Sequence, residues 1–167
     1  MNKQQKARIE PDKIRIVAIS LVRGSLDTKE AFLAHPIRPS KIDLKVNHLI
    51  NFYLEDNRSI IRLNFIVEGK TEDESPLGIA AAYTIDFLFE VENMPDFVDT
   101  GNSTEIKVDG IFGATLLGLA LSTSRGILLE RTHGTYFANF LLPVLDPMRM
   151  IGLSDQGEHI VLNTMEN

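Results

Sequence analysis

From Gly110 to Leu121 the chain reads GIFGATLLGLAL, apolar or small at almost every position. A helix of that composition reserves no face for water, so a sheet or another chain has to cover it. The segment continues as STSRGILLERT, turns charged, and stops at His133-Gly134, where glycine suits a left-handed C-cap. Asp109 stands where an N-cap belongs. Phe112, Leu116, Leu119, Thr123 and Ile127 form one stripe along this helix, and Ala114, Gly118 and Leu121 form another. The small residues Gly113, Ala114 and Gly118 serve either the close approach of a neighbouring element or plain core packing. An extended Leu142-Pro143-Val144-Leu145-Asp146-Pro147 segment follows, then a short amphipathic piece from Met148 to Leu153. The twelve-residue apolar run covers about 18 Å against a hydrocarbon core of about 30 Å, so no membrane insertion is expected.

Strand patterns precede the helix. Ile14 to Val22 alternates loosely and loses phase near Val17-Ala18, the mark of a bulge. From Ile42 to Leu54 the even positions are mostly apolar and the odd ones mostly polar, which predicts a strand with one wet face. Glu55-Asp56-Asn57-Arg58 is a turn, and Ile61, Leu63, Phe65 and Val67 carry the returning strand of a hairpin. After the charged loop 68–76, a fourth strand from Ile79 to Glu92 puts Tyr83, Ile85, Phe87, Phe89 and Val91 on one side. Ala80, Ala82, Thr84, Asp86 and Leu88 make a small, mixed opposite face, suited to contact with another sheet or chain. The connection 27–40 combines Pro36 and Pro39 with Phe32, Leu33 and Ile37, so it is expected to lie across the body of the protein. The chain therefore reads as a single domain over 13–153, with a disordered arm at 1–12, a loop at 93–108 and a flexible tail at 154–167.

Composition removes several function classes. With 23 acidic and 17 basic residues the net charge is -6, and basic residues cluster only in the polar N-terminal arm, which argues against a nucleic-acid groove. The absence of cysteine excludes disulfides, thiolate catalysis and cysteine-held metals. It suits a reducing compartment, and MNKQQKARIEPDK lacks the apolar region of a signal peptide, so a cytoplasmic location is expected. The four histidines have no metal-binding spacing. His133 fits a helix C-terminus and His48 reads as a core or interface residue. There is no GxSxG elbow, and the glycines from Gly110 to Gly118 lack the lysine of a phosphate loop. No catalytic residue, metal or cofactor is expected. Arg125, on an otherwise apolar helix, should pair with a carboxylate or a helix-end carbonyl at a subunit contact. Such apolar excess belongs to chains that assemble or hold apolar ligands.

Over roughly Ile14 to Ile151 the order of four strands, a long helix and Leu-Pro-Val resembles the SecB family of secretory chaperones. Ile19-Ser20-Leu21 in the first strand carries the same likeness, as do the Pro36 to Pro39 crossover into Lys41-Ile42-Asp43-Leu44-Lys45-Val46 and Arg125 followed eighteen residues later by Pro143. The resemblance implies an α+β fold: a four-stranded antiparallel sheet followed by a long helix and a short C-terminal helix, packed as a dimer of dimers. It also implies an ATP-independent holdase that binds unfolded polypeptides or preproteins in apolar grooves for export. By motif the groove positions are Phe32, Leu33 and Ile37 in the crossover, Ile42, Leu44 and Val46 in the next strand, and Met148, Met150, Ile151 and Leu153. Core packing is the other reading of the strand positions, while Met and Phe suit repacking against varied clients. Ala80, Ala82, Thr84, Gly118 and Arg125 are the expected oligomer contacts.

The likeness has a departure. The family's Ile-Ser-aromatic triplet is flanked by acidic residues that dock the ATPase SecA, whereas Ala18 and Val22 flank it here, and the chain has no evident basic tail. Holding carries over better than delivery, and a dedicated partner such as an antitoxin is an alternative. From another class, a hot-dog-type acyl-thioester hydrolase also wraps an antiparallel sheet on a long apolar helix, but it places that helix before its strands. Asp86 and Glu130 are the carboxylates to test for it.

Overall fold

Alternating side chains on three successive long segments produce a meander. In this computed structural model, which describes residues 8–99, 107–138, 140–152 and the backbone of 158–163, β2 (Lys41–Tyr53) pairs antiparallel with β3 (Arg58–Lys70) from Tyr53 opposite Arg58 to Lys41 opposite Lys70. The reversal is a 3-10 turn closed by Asn57 in the left-handed region, φ 53°, a conformation asparagine tolerates. β3 passes to β4 (Pro76–Val91) through a turn in which the Thr71 N–H donates to the Ser75 carbonyl and the Ser75 N–H to the Thr71 hydroxyl. β1 (Ile14–Thr28) adds to the far side of β4, antiparallel, with bulges at Val17 and Val22. The bulge expected near Val17-Ala18 is present, and the strand runs six residues beyond Val22.

Three segments read as irregular carry structure. The C-terminal stretch taken as a flexible tail contains β7 (Glu158–Asn163), which pairs antiparallel with Lys41 to Val46 of β2, so the sheet order is β1-β4-β3-β2-β7. EHIVLN alternates weakly and is short, and a free strand edge gave it a partner that periodicity cannot reveal. Within the arm read as disordered to residue 12, Pro11–Lys13 forms a 3-10 turn joined by a Lys13–Glu10 ion pair, and Ile9 packs on the core. The loop at 93–108 contains the ladder of β5 (Val98–Asp99) and β6 (Lys107–Val108).

The crossover folds as α1 (Glu30–Ala34) and then runs extended to Ser40. It is held at Gly69, where an added methyl would come within 2.8 Å of both Pro39 Cγ and Ile79 Cγ2, so a larger residue would push the crossover off the sheet.

α2 (Gly110–Thr132) covers β3 and β4. Asp109 caps it, accepting from the N–H groups of Ile111 and Phe112, and Gly134, φ 76°, follows its end. At 23 residues, about 35 Å, the helix is long and apolar enough to cross a membrane by length and composition, which corrects the estimate from its apolar half alone. In this chain it is a core helix, with Phe112, Leu116, Leu117, Ala120, Leu121 and Leu128 buried against the sheet. Phe112 stacks on Phe97 at 4.5 Å. From Phe137 the chain returns along α2, burying Phe140, Leu142 and Leu145, and ends in α3 (Pro147–Gly152), capped by Asp146.

Candidate functional site

Directly opposed residues of an antiparallel ladder share a face. Ile16, Ile19, Leu21 and Leu26 of β1 lie opposite Phe89, Phe87, Ile85 and Ala81, on the side of the sheet that carries α2. Their partners on β4 are buried, yet these four are 38–43% exposed, because α2 lies over β3 and β4. The bulged Val17 and Val22 are exposed as well. An outward stripe on α2, Ile111, Thr115, Leu119, Ser122, Gly126 and Leu129, is equally free of charge, with its three large members exposed. A chain burying a full core while leaving both rows bare has surface that a partner can cover.

A further groove of about 390 Å³ runs along the second half of β2, walled by His48, Ile50, Phe52, Val108, Gly113 and Ile151. β7 stops at Val46, so among the described residues no strand occupies the β2 edge beside this groove. His48 Nδ1 is buried there without a hydrogen-bond partner, and burial pushes the imidazole below its ordinary range, favouring the neutral ring.

The client-binding positions read from the sequence divide. Phe32 is a core residue, 2% exposed, with its ring edge-on to Tyr136 at 4.9 Å. Ile42, Leu44, Val46 and Met150 are also buried in the core. Leu33, Ile37 and Met148 are exposed, Ile151 is half-buried against Gly113, and Leu153 lies outside the described residues. The crossover sits by Tyr136 beyond the end of α2, whereas α3 sits on its first half, so the two do not form one groove within a chain. Motif order aligned them, but order alone carries no distance.

The expected oligomer contacts meet neighbours inside the chain. Arg125 donates from Nε to the Leu142 carbonyl at 2.9 Å and from Nη2 to the Pro143 carbonyl at 3.2 Å. It therefore pins the returning segment to α2. Gly118 faces Pro147, so the small-residue stripe of α2 is the seat of α3. Ala80, Ala82 and Thr84 are half-buried on the outer face, where Thr84 donates to Asn64 Oδ1 at 2.9 Å. Of the hydrolase candidates, Asp86 is held by a bidentate Arg62 on that outer face, while Glu130 is exposed at the end of α2 on the other side. They share no cavity. The β1 row and the β2 groove were missed; the only available signal was that β1 is apolar at its bulges as well as on one face.

No family model matches this sequence, and no curated protein does. Among solved structures the chain is similar to the Mycobacterium tuberculosis SecB-like chaperone Rv1957, determined in complex with a ChAD peptide from the Rv1956 HigA1 antitoxin. The identity is 14%, the match covers 80% of this chain and 91% of that one, and the TM-score is 0.53. The antiparallel sheet followed by a long and then a short helix is thus a SecB-like α+β fold.

Proposed function

We propose that this chain is a non-enzymatic, SecB-like chaperone that assembles with copies of itself and holds non-native polypeptides without nucleotide or cofactor. The observation that carries the reading is that the apolar row of β1 and the charge-free outer stripe of α2 are both left bare. At about 25 cal/mol per Å² of apolar surface removed from water, covering two such rows supports a stable contact between copies. The β1 row and the α2 stripe replace Gly118 and Arg125 as the proposed self-association surface. The assembly proposed is a dimer or a dimer of dimers, in a cytoplasmic, reducing setting compatible with a cysteine-free chain.

Clients on this reading are unfolded polypeptides, among them preproteins bound for export. A dedicated partner of antitoxin type is the second reading, supported by the peptide bound to the structural neighbour. Docking to SecA is left out, because Ala18 and Val22 offer no charge for it.

The test is suppression of aggregation of a reduced, unfolded protein in the absence of nucleotide, alongside sedimentation. The expected result is suppression by a species larger than the 18.7 kDa monomer. The double variant Ile19→Asp with Leu21→Asp should return it to monomer while keeping its far-UV spectrum, since both residues are exposed in the single chain. A monomeric wild type that suppresses nothing would remove the proposal.

A further inference from the structure

The face of the sheet turned away from α2 takes no part in the surfaces described so far. Its side chains stand at the even positions of β3 from Arg58 to Glu68 and of β4 from Ala80 to Glu90, each alternating with a buried residue of the core side. α2 and the crossover both lie on the core side, and the outer side chains are exposed or half-buried, with Ile66 38% exposed. A mixed composition is ordinary on the wet side of an antiparallel sheet. The order of the residues is more specific, because the face complements its own reverse.

Leu63 and Ile85 oppose each other in the ladder. A two-fold axis laid across the strands at that pair turns the outer face onto a second copy, β3 over β3 and β4 over β4, with directions reversed. Arg58 then meets Glu68, Ile60 meets Ile66, and Leu88 meets Ala82, each contact occurring twice. The first is a pair of opposite charges and the second is apolar. In the third a large side chain meets a small one, as the interdigitation of two sheets about 10 Å apart requires. The remaining charged residues of these positions, Arg62, Asp86 and Glu90, meet Asn64, Thr84 and Ala80, so no like charges are opposed on the two strands. Arg62 and Asp86 already hold each other, whereas Arg58 and Glu68 have no ion-pair partner among the described residues.

We propose that this outer face is a second self-association surface, on which two copies pack sheet to sheet about a two-fold axis passing by Leu63 and Ile85. The occupant is a second copy because the charge at one end of the face is answered by the opposite charge at its other end. The contact is separate from the β1 row, which lies on the core side, and it does not rest on the chaperone reading. Its apolar residues are few and its charged pairs stay at a wet rim. It is therefore weak, forming at about 100 µM and open at the low micromolar concentrations where the β1 variant is monomeric.

The test uses the full chain carrying Ile19→Asp and Leu21→Asp, which leaves the outer face as the contact to be measured, in sedimentation equilibrium up to about 1 mM. A dimer half-formed near 100 µM is expected. Arg58→Glu and Glu68→Lys, made separately on that chain, should each weaken it about tenfold, since symmetry sets two like-charge pairs against each other at once. An equimolar mixture of the two variants should associate within about threefold of the parent, because across the mixed contact reversed charge meets reversed charge and native meets native, each of opposite sign. A folding defect is not repaired by mixing, so this restoration assigns the effect to the contact. The same measurements on the wild-type chain, read as a doubling of its low-concentration mass, repeat the test where the aspartate variant does not fold. No association beyond the low-concentration mass up to about 1 mM in either chain overturns the proposal, as does a mixture no tighter than its components. Both outcomes leave the chaperone reading standing, since that reading fails on a wild type that suppresses no aggregation.

Discussion

β1 and β4 are hydrogen-bonded neighbours of similar length, 15 and 16 residues, yet they live in different environments. Every second residue of β4 from Ile79 to Val91 is buried, while β1 is exposed or half-exposed throughout. Their sequences do not foretell this, since Ile16, Ile19 and Leu21 are as apolar as Phe89, Phe87 and Ile85. What differs is the reach of α2, which spans two strands and leaves the third open. One strand is thus committed to this chain's stability and the other is available for something outside it.

That contrast can be broken by measurement. Phe89→Ala on β4 should destabilise the protein by about 3–5 kcal/mol in denaturant unfolding, as expected for a large aromatic truncated in a closed core. Ile19→Ala on β1 should cost about 1 kcal/mol or less in the monomer. If the two cost the same at dilutions where the wild type is monomeric, β1 is covered by the chain itself and the comparison fails. Arg125→Ala should be next in size, about 1–3 kcal/mol, from the loss of two charged hydrogen bonds at a half-buried site. Faster amide exchange confined to 140–146 would assign that loss to the returning segment; altered oligomer mass with unchanged exchange would restore Arg125 to a subunit contact.

The smallest effect concerns His48, intermediate between the two strands in burial. Its folded-state pKa is depressed by burial, so the unfolded chain binds the extra proton first. Stability should therefore be fully present above the unfolded value of about 6.5 and fall as pH drops through the folded pKa. The fall should be smaller in His48→Leu. An identical pH profile for the two proteins would mean that the ring is solvated.

The meander was legible because β2, β3 and β4 alternate cleanly, and the helix caps at Asp109 and Gly134 were legible from residue type. The orientation of α2 was not. A helix apolar on all sides gives periodicity no phase, and Leu119, placed on one stripe with Phe112 and Leu116, turns outward while those two are buried and Leu117, Ala120 and Ser124, on neither stripe, turn in. Asp43, taken as part of a wet face, is 4% exposed and ion-paired with Lys70 at 2.7 Å, because β7 makes β2 an interior strand there. Both misreadings have one origin: pattern within a segment reports that a face is apolar, and only tertiary assembly decides what covers it. The groove along β2 follows the same rule, since Ile50, Phe52, Val108 and Ile151 come from three separate parts of the chain.

The pairing of β1 with β4 also sets an order of events during synthesis. β2, β3 and β4 can zip as successive hairpins over short loops, but Ile14 waits for Val91, 77 positions later. At about 5–20 residues per second, that interval is roughly 4–15 s on the ribosome. Throughout it, an isoleucine- and valine-rich segment has neither its hydrogen-bonding partner nor any neighbour to shield it. A protein proposed to guard other chains at this stage thus passes through the same hazard itself, and it is most exposed along the strand proposed to meet its own copies.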